Sequence, residues 1–455
     1  MELLIVAVFV IGYILIALEH PIHINKTATA LLTGVLCWTL FAFSDPTTSL
    51  LASEHFISFL EKLKSTVPDF ASLTASEIHR EFVVESLAEH LSEISQILFF
   101  LMGAMTIVEL VDAHQGFKFI TDRITTKNAK VLLWIVCGVT FILSAILDNL
   151  TTTIVMVSLI RKIIPNKDMR LFFAGMIIVA ANAGGAWSPI GDVTTTMLWI
   201  GGQITAIGIV KSLILPSVVC MVVPLIYLSF TMKGELGEDT KSKVIEPSSG
   251  YGKLMLFLGV AALVSVPIFK TVTHLPPYLG MMLGLGVLWV ASELINPDVD
   301  ESKKKNYTAA HALTRIDMPS VLFFLGILLA VGALQSMTTL HNFAELLNDT
   351  LGDNRIIITL IGMLSAIVDN VPLVAASMGM YDMSVYPTDH MIWEYLAYCA
   401  GTGGSLLVIG SAAGVAAMGM VKIDFIWYIK KITLLAAIGY FAGAAVYLIQ
   451  YSLFH

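Results

Sequence analysis

The chain has 455 residues, of which 56% are hydrophobic and 13% charged, with a formal net charge of −8. A soluble chain carries about 25% charged residues, and this one adds several apolar runs of bilayer-spanning length. Together these exclude a soluble enzyme, a nucleic-acid binder and a disordered scaffold, and they predict an all-α polytopic membrane protein whose chemistry lies in the few polar residues inside its apolar runs.

The first run, near 3–18, starts at Leu3 behind Glu2, without a basic leader or a clear cleavage site, and reads as a retained spanning helix. Further runs lie near 27–43, 94–111, 131–164, 171–199, 210–231, 254–270, 278–295, 318–335, 355–380, 393–420 and 432–453. Residues 44–93 form an acidic, amphipathic connection with Glu77, Glu81, Glu85, Glu89 and Glu93 at four-residue spacing, expected on the membrane surface. Residues 232–253 read as a charged linker, and 296–317 carry Lys303, Lys304 and Lys305. Cys37, Cys137, Cys220 and Cys399 lie in or beside apolar runs without disulfide or metal spacing and read as small core residues.

Four runs are interrupted by polar or glycine-rich centres. Ser144 to Thr153 reads SAILDNLTTT, and Ser365 to Pro372 reads SAIVDNVP. Asn182 to Asp192 reads NAGGAWSPIGD, and Gly401 to Ser411 reads GTGGSLLVIGS. The aspartate at each polar centre precedes the first glycine of its paired break by 36 residues in one copy and 34 in the other. Leu98 to Leu101 matches Leu322 to Leu325, and Gly34-Val35-Leu36 matches Gly286-Val287-Leu288. These matches, in the same order, predict a duplication: a first repeat at 1–231, a linker at 232–253 and a second repeat at 254–455.

If 131–164 and 355–380 are re-entrant hairpins, each repeat has about five spanning helices plus one hairpin, and the repeats are inverted. Twenty of the 26 basic residues then face one side of the membrane. That asymmetry is the one expected of cytoplasmic loops, and it puts both termini outside. The runs at 171–199 and 393–420 are the expected glycine-broken helices.

Irregular backbone survives at membrane depth only where protein or a water-filled cavity satisfies it. Asn, Asp, Ser and Thr at a hairpin tip can act simply as turn and cap residues, and Pro372 suits the first turn of a returning helix. Two symmetric Asp-Asn pairs, each with a glycine-broken partner, point further, to an ion site at the repeat interface. Its candidate ligands in the first repeat are Asp148, Asn149, Thr151, Thr152, Asn182, Ser188, Asp192, Thr194 and Thr195. Those in the second are Ser365, Asp369, Asn370, Thr402, Ser405 and Ser411. No Lys or Arg falls in the four motifs, so the site suits a hard cation bound by oxygen better than an anion. Carboxylates held there also take protons, which compete with the metal ion. Glu109, near the end of a spanning helix, is a possible proton relay and reads equally as a snorkelling carboxylate.

At Phe99 to Glu109, Ser144 to Thr153, Ala181 to Thr196 and Ser365 to Pro372 the sequence resembles the NhaD-type sodium/proton antiporters of the ion transporter superfamily, and the likeness runs over nearly the whole chain. The resemblance implies a homodimer in the lipid bilayer of a cell inner membrane, with a scaffold domain and a mobile transport domain. It implies no enzymatic activity, no cofactor and no nucleic-acid partner, with Na⁺ or Li⁺ and H⁺ as cargo. The superfamily also holds dicarboxylate and citrate carriers, so sodium-coupled carboxylate symport is the alternative. Asp directly before Asn at both tips departs from the carboxylate carriers' motif. An intramembrane aspartyl hydrolase is a third reading, weakened by the placement of both aspartates on hairpins.

Overall fold

The computed structural model describes residues 1–67, 70–124, 126, 128–231, 251–295 and 308–454. Most of the predicted 232–253 linker and Lys303, Lys304 and Lys305 lie outside the described residues.

The helices of eight or more residues, in chain order, begin with α1 (Glu2–Ala17), α2 (Lys26–Ala42), α3 (Glu54–Thr66) and α4 (Ala75–Ala113). They continue with α5 (Ala129–Leu147), α6 (Asn149–Ile163), α7 (Lys167–Ala186), α8 (Val193–Ile200) and α9 (Ala206–Thr231). Next come α10 (Gly252–Thr273), α11 (Pro277–Ile295), α12 (Met318–Ser336), α13 (Thr339–Leu351) and α14 (Asn354–Leu364). The last four are α15 (Asn370–Met380), α16 (Met391–Gly403), α17 (Ala412–Val421) and α18 (Leu434–Phe454). Eight described segments are long and apolar enough to cross a membrane: α4, α5, α7, α9, α10, α11, α12 and the continuous stretch Phe425–Leu453, which includes nearly all of α18. The chain is an all-α polytopic membrane protein.

Three details differ from the sequence expectation. The last part of the acidic connection, from Ala75, and the 94–111 run are one helix, α4, of 39 residues, because neither Pro nor Gly interrupts the chain between Ala75 and Met102. The helices α1 and α2, with 16 and 17 residues, reach about 24–26 Å at 1.5 Å per residue, slightly short of a hydrocarbon core of about 30 Å. The first arm of the 131–164 element, α5, has 19 residues and is itself of spanning length.

The chain forms two compact units: Met1–Leu98, Asp317–Asn354 and Val374–Tyr386 in the first, Phe99–Ile316, Arg355–Leu373 and Pro387–His455 in the second. The units therefore do not follow the two sequence repeats, because each takes segments from both. Within the first unit, α2 and α12 meet at their glycines: a Cβ on Gly34 would stand 2.5 Å from the Gly326 carbonyl oxygen. The Trp38 indole N–H donates to the Leu329 carbonyl at 2.7 Å, and His90 Nε2 lies 3.0 Å from Ser336 Oγ.

Within the second unit, α7 is the central element. It is buried all round from Phe173 to Ala186, as a helix apolar on every face must be, and packs against α5, α6, α9, α16 and α17. The packing of the two motif pairs is repeated. Ser144 Oγ donates to the Ala181 carbonyl at 2.5 Å, and Ser365 Oγ, at the matching position, donates to the Ala400 carbonyl at 2.9 Å. A Cβ on Gly184 would fall on the Phe141 carbonyl, and one on Gly403 on the Gly362 carbonyl. A Cβ on Gly185 would stand 2.5 Å from Gly191 O, and one on Gly404 2.8 Å from Gly410 O. Small residues let these backbones approach closely, which is how helices associate where no water drives them together.

Gly184→Ala and Gly403→Ala should each destabilise the protein by about 1–3 kcal/mol through overpacking. Gly138→Ala and Gly286→Ala, where a new Cβ meets nothing within 4 Å, should be neutral or stabilising by up to about 1 kcal/mol. Thermal melting of the purified protein in detergent separates the two pairs.

Candidate ion-binding site

All four motifs lie in the second unit, and the site grows from their helix ends. Leu147 ends α5 and Asn149 begins α6, so Asp148 alone makes the turn, with φ 108° and ψ 161°. This region is sparsely populated by residues other than glycine and costs on the order of 1–3 kcal/mol. The Asp148 carboxylate caps α6: it accepts from the Thr151 N–H at 2.7 Å and from Thr151 Oγ1 at 2.9 Å. In the second copy α14 ends at Leu364 and α15 starts at Asn370, with Pro372 in its first turn, where no intrahelical N–H bond is lost.

The two glycine breaks end in matching caps. Asp192 caps α8, accepting from the Thr194 N–H at 3.1 Å. Ser411, at the corresponding position, caps α17 and accepts from the Gly414 N–H at 3.2 Å. Asp192 is 2% exposed, and both asparagines of the tips converge on it. Asn149 Nδ2 donates to Asp192 Oδ2 at 2.9 Å and to Asn182 Oδ1 at 3.1 Å. Asn370 Nδ2 donates to Asp192 Oδ2 at 3.3 Å and Oδ1 at 3.4 Å. Asn182 Nδ2 continues to Ser411 Oγ at 3.0 Å. Five side chains from four broken elements thus form one buried network around a single carboxylate.

The other candidates are placed differently. Thr195 Oγ1 donates to the Asp192 carbonyl, Ser188 Oγ to the Ala145 carbonyl, Thr402 Oγ1 to Tyr398 O and Ser405 Oγ to Thr402 O, all within or between backbones. Thr152, one turn beyond Asn149, keeps a buried hydroxyl with no hydrogen-bond partner. Among the described residues no three His, Cys, Asp or Glu side chains gather as a metal cluster. The shell of Asp192 is amide and backbone N–H rather than carboxylate. Glu109 lies outside this network, with Oε2 3.5 Å from Arg315 Nε.

One buried acid escaped the motif search. Glu394, 6% exposed in the first turn of α16, accepts from Ser212 Oγ at 2.6 Å and Tyr447 Oη at 2.9 Å. Its signal was present: it is the one charged residue in the 393–420 run.

Helices broken around a buried carboxylate, in a chain with eight described segments of membrane-spanning length, are the arrangement of a polytopic secondary transporter. The family model described as citrate transporter matches residues 13–401. Sodium/proton antiporter 1 of Arabidopsis thaliana is 48% identical over 98% of this chain and 72% of its own length. Sodium/proton antiporter 2 of the same plant is 43% identical over 97% of each chain. The Na(+)/H(+) antiporter NhaD of Alkalimonas amylolytica is 29% identical over 99% of this chain and 91% of its own. The chain belongs to the NhaD-type sodium/proton antiporter family.

Removing the Glu394 carboxylate leaves buried hydroxyls without their acceptor. Glu394→Ala should cost about 1–3 kcal/mol, read as a lower melting temperature, whereas Glu394→Gln, which keeps one acceptor oxygen, should cost less.

Proposed function

We propose that this chain is a secondary active antiporter that exports Na⁺, and Li⁺, in exchange for entering protons, with Asp192 binding the two cargoes in turn. The exchange itself is supported by the relatives named sodium/proton antiporter at 48% and 43% identity over nearly the full chain. They favour it over sodium-coupled carboxylate transport, as does the lack of any Lys or Arg in the four motifs.

The observation that carries the role of Asp192 is its burial among neutral donors from both motif pairs. A buried carboxylate without a basic partner must be satisfied by hydrogen bonds, by a cation or by a proton. Asn149, Asn370 and the Thr194 N–H satisfy it when no cation is bound. Sodium is a hard ion suited to carboxylate, amide and hydroxyl oxygens, and Thr152 can supply a hydroxyl beside Asn149. A proton on Asp192 removes the charge that holds sodium. One group serving two mutually exclusive cargoes is the minimum requirement for exchange rather than leak. Asp148 holds the α6 tip by capping it. Glu109, paired with Arg315, is an outlying carboxylate from which protons can be relayed.

The same reading extends to topology. The repeated contacts of the two motif pairs and the 20 basic residues assigned to one side support two inverted repeats, 1–231 and 254–455, in a cell inner membrane with both termini outside. A homodimer follows from the resemblance alone.

In everted vesicles monitored with a pH-sensitive dye, Asp192→Asn should lower Na⁺-driven proton movement at least about 100-fold at every pH, the protein inserting normally. Asp148→Asn, which keeps a capping oxygen, should lose about tenfold. Wild-type rates in Asp192→Asn would remove the assignment. In the wild type, proton competition should raise the half-saturating Na⁺ concentration by up to about tenfold per pH unit on the acid side, and a pH-independent value would count against a shared site.

A further inference from the structure

The two tip asparagines occupy matching positions but not matching networks. Both N–H bonds of the Asn149 amide are used, one on Asn182 Oδ1 and one on Asp192 Oδ2. The Asp192 end fixes the direction of the chain, because an ionised carboxylate only accepts. Asn149 therefore presents its NH₂, Asn182 presents its oxygen to Asn149, and the Asn182 NH₂ goes to Ser411 Oγ. Turning Asn149 over would set its oxygen against the Asp192 carboxylate and, unless Asn182 and the Ser411 hydroxyl reversed with it, against an amide oxygen as well.

Asn370 has no such lock. Its NH₂ straddles the two Asp192 oxygens at 3.3 and 3.4 Å, longer than either Asn149 bond. The position that matches Asn182 in the second copy is Gly401, which offers no amide. A Cβ at Gly401 would stand 3.8 Å from Asp192 Oδ2 and 3.2 Å from Ala186 Cβ, so the bare glycine backbone lies directly beside the carboxylate.

We infer that the pair is functionally asymmetric: Asn370 is the amide that turns its carbonyl oxygen toward the bound sodium ion, while Asn149, locked through Asn182 and Ser411, is a positioning residue that holds Asp192. This rests on Asp192 being the ion-binding carboxylate. When sodium arrives, the Asn370 NH₂ leaves two long bonds and its oxygen takes a place in the coordination shell; a rotation about one side-chain bond suffices. The same move at Asn149 needs three groups to reverse in concert. The first motif pair, tied to Ser411 of the second, thus supplies the fixed wall of the site and Asn370 the adaptable ligand.

The test compares Asn370→Ala, Asn370→Asp and Asn149→Ala in proteoliposomes, reading the half-saturating Na⁺ concentration and the maximal rate separately, with Asp192→Asn as reference. Asn370→Ala should raise the half-saturating Na⁺ concentration at least tenfold. Asn370→Asp, which when ionised offers a stronger oxygen ligand, should lower it at least threefold when assayed on the alkaline side. Asn149→Ala should reduce chiefly the maximal rate, with a shift in half-saturation at least fivefold smaller than that of Asn370→Ala. The inference is overturned if Asn370→Asp and Asn370→Ala shift the value in the same direction, or if Asn149→Ala shifts it as much as Asn370→Ala. The Asn370 pair decides the point even if Asn149→Ala does not fold. If Asp192→Asn keeps Na⁺-driven proton movement, the functional reading itself fails; if it loses it and the Asn370 variants behave alike, only the asymmetry fails.

Discussion

A carboxylate buried in an apolar bundle without a basic partner is the constraint from which the rest of the second unit follows. Asp192 cannot be left unsatisfied, since an unpaired buried charge costs several kcal/mol even after relaxation. Its own helix provides one donor, the Thr194 N–H. The others must come from outside, and they come from the tips that begin α6 and α15. For both tips to reach one carboxylate, four helices must stop short of crossing the unit, and each stop exposes backbone groups that need partners. The caps at Asp148, Asp192 and Ser411 meet that need at three of the ends.

Close approach of backbones is the second consequence. The breaks can reach the tips only where side chains are absent, so the glycines at 184 and 403 sit against the carbonyls of Phe141 and Gly362. The serines one turn beyond those carbonyl-bearing residues, Ser144 and Ser365, tie each tip to its own broken helix by the same bond. In this setting a small residue and a hydroxyl do what an apolar side chain does in a soluble core. They bring helices together by packing and hydrogen bonding rather than by excluding water.

Much of this was legible in the sequence because the motif pairs are composed of residues that apolar helices otherwise avoid. The Asp-Asn tips, the glycine breaks and the membership of Asn149, Asn182, Asp192 and Asn370 in one polar set could be read from spacing alone. What could not be read is which oxygen faces which nitrogen. Spacing gave Asp148 and Asp369 the same standing as Asp192, yet Asp148 spends its carboxylate on the Thr151 cap while Asp192 is enclosed by donors. Thr402 and Ser405, candidates by composition, donate their hydroxyl hydrogens to carbonyls of their own segment and keep their oxygens as acceptors. Hydroxyls at a helix end have both options, and only geometry chooses. The division into units was hidden for a related reason: a duplication marks which segments are alike, whereas packing decides which segments touch.

The match between the two motif pairs is most informative where it fails. Two perfect copies would place an acid at both caps and an amide on both broken helices. Here Asp192 faces Ser411 across the copies, and Asn182 faces Gly401. A second buried acid at 411 would add a charge that the same few donors would have to satisfy, and a hydroxyl there can either accept from Asn182 or donate. A second amide at 401 would fill the space beside Asp192 that the glycine leaves to backbone. Both departures place the smaller group in the second motif pair, Ser411 against Asp192 and Gly401 against Asn182. The matched motifs therefore account for the frame, four broken elements meeting at one point, while the departures at 401 and 411 leave Asn149 tied to Asn182 as well as Asp192, and Asn370 tied to Asp192.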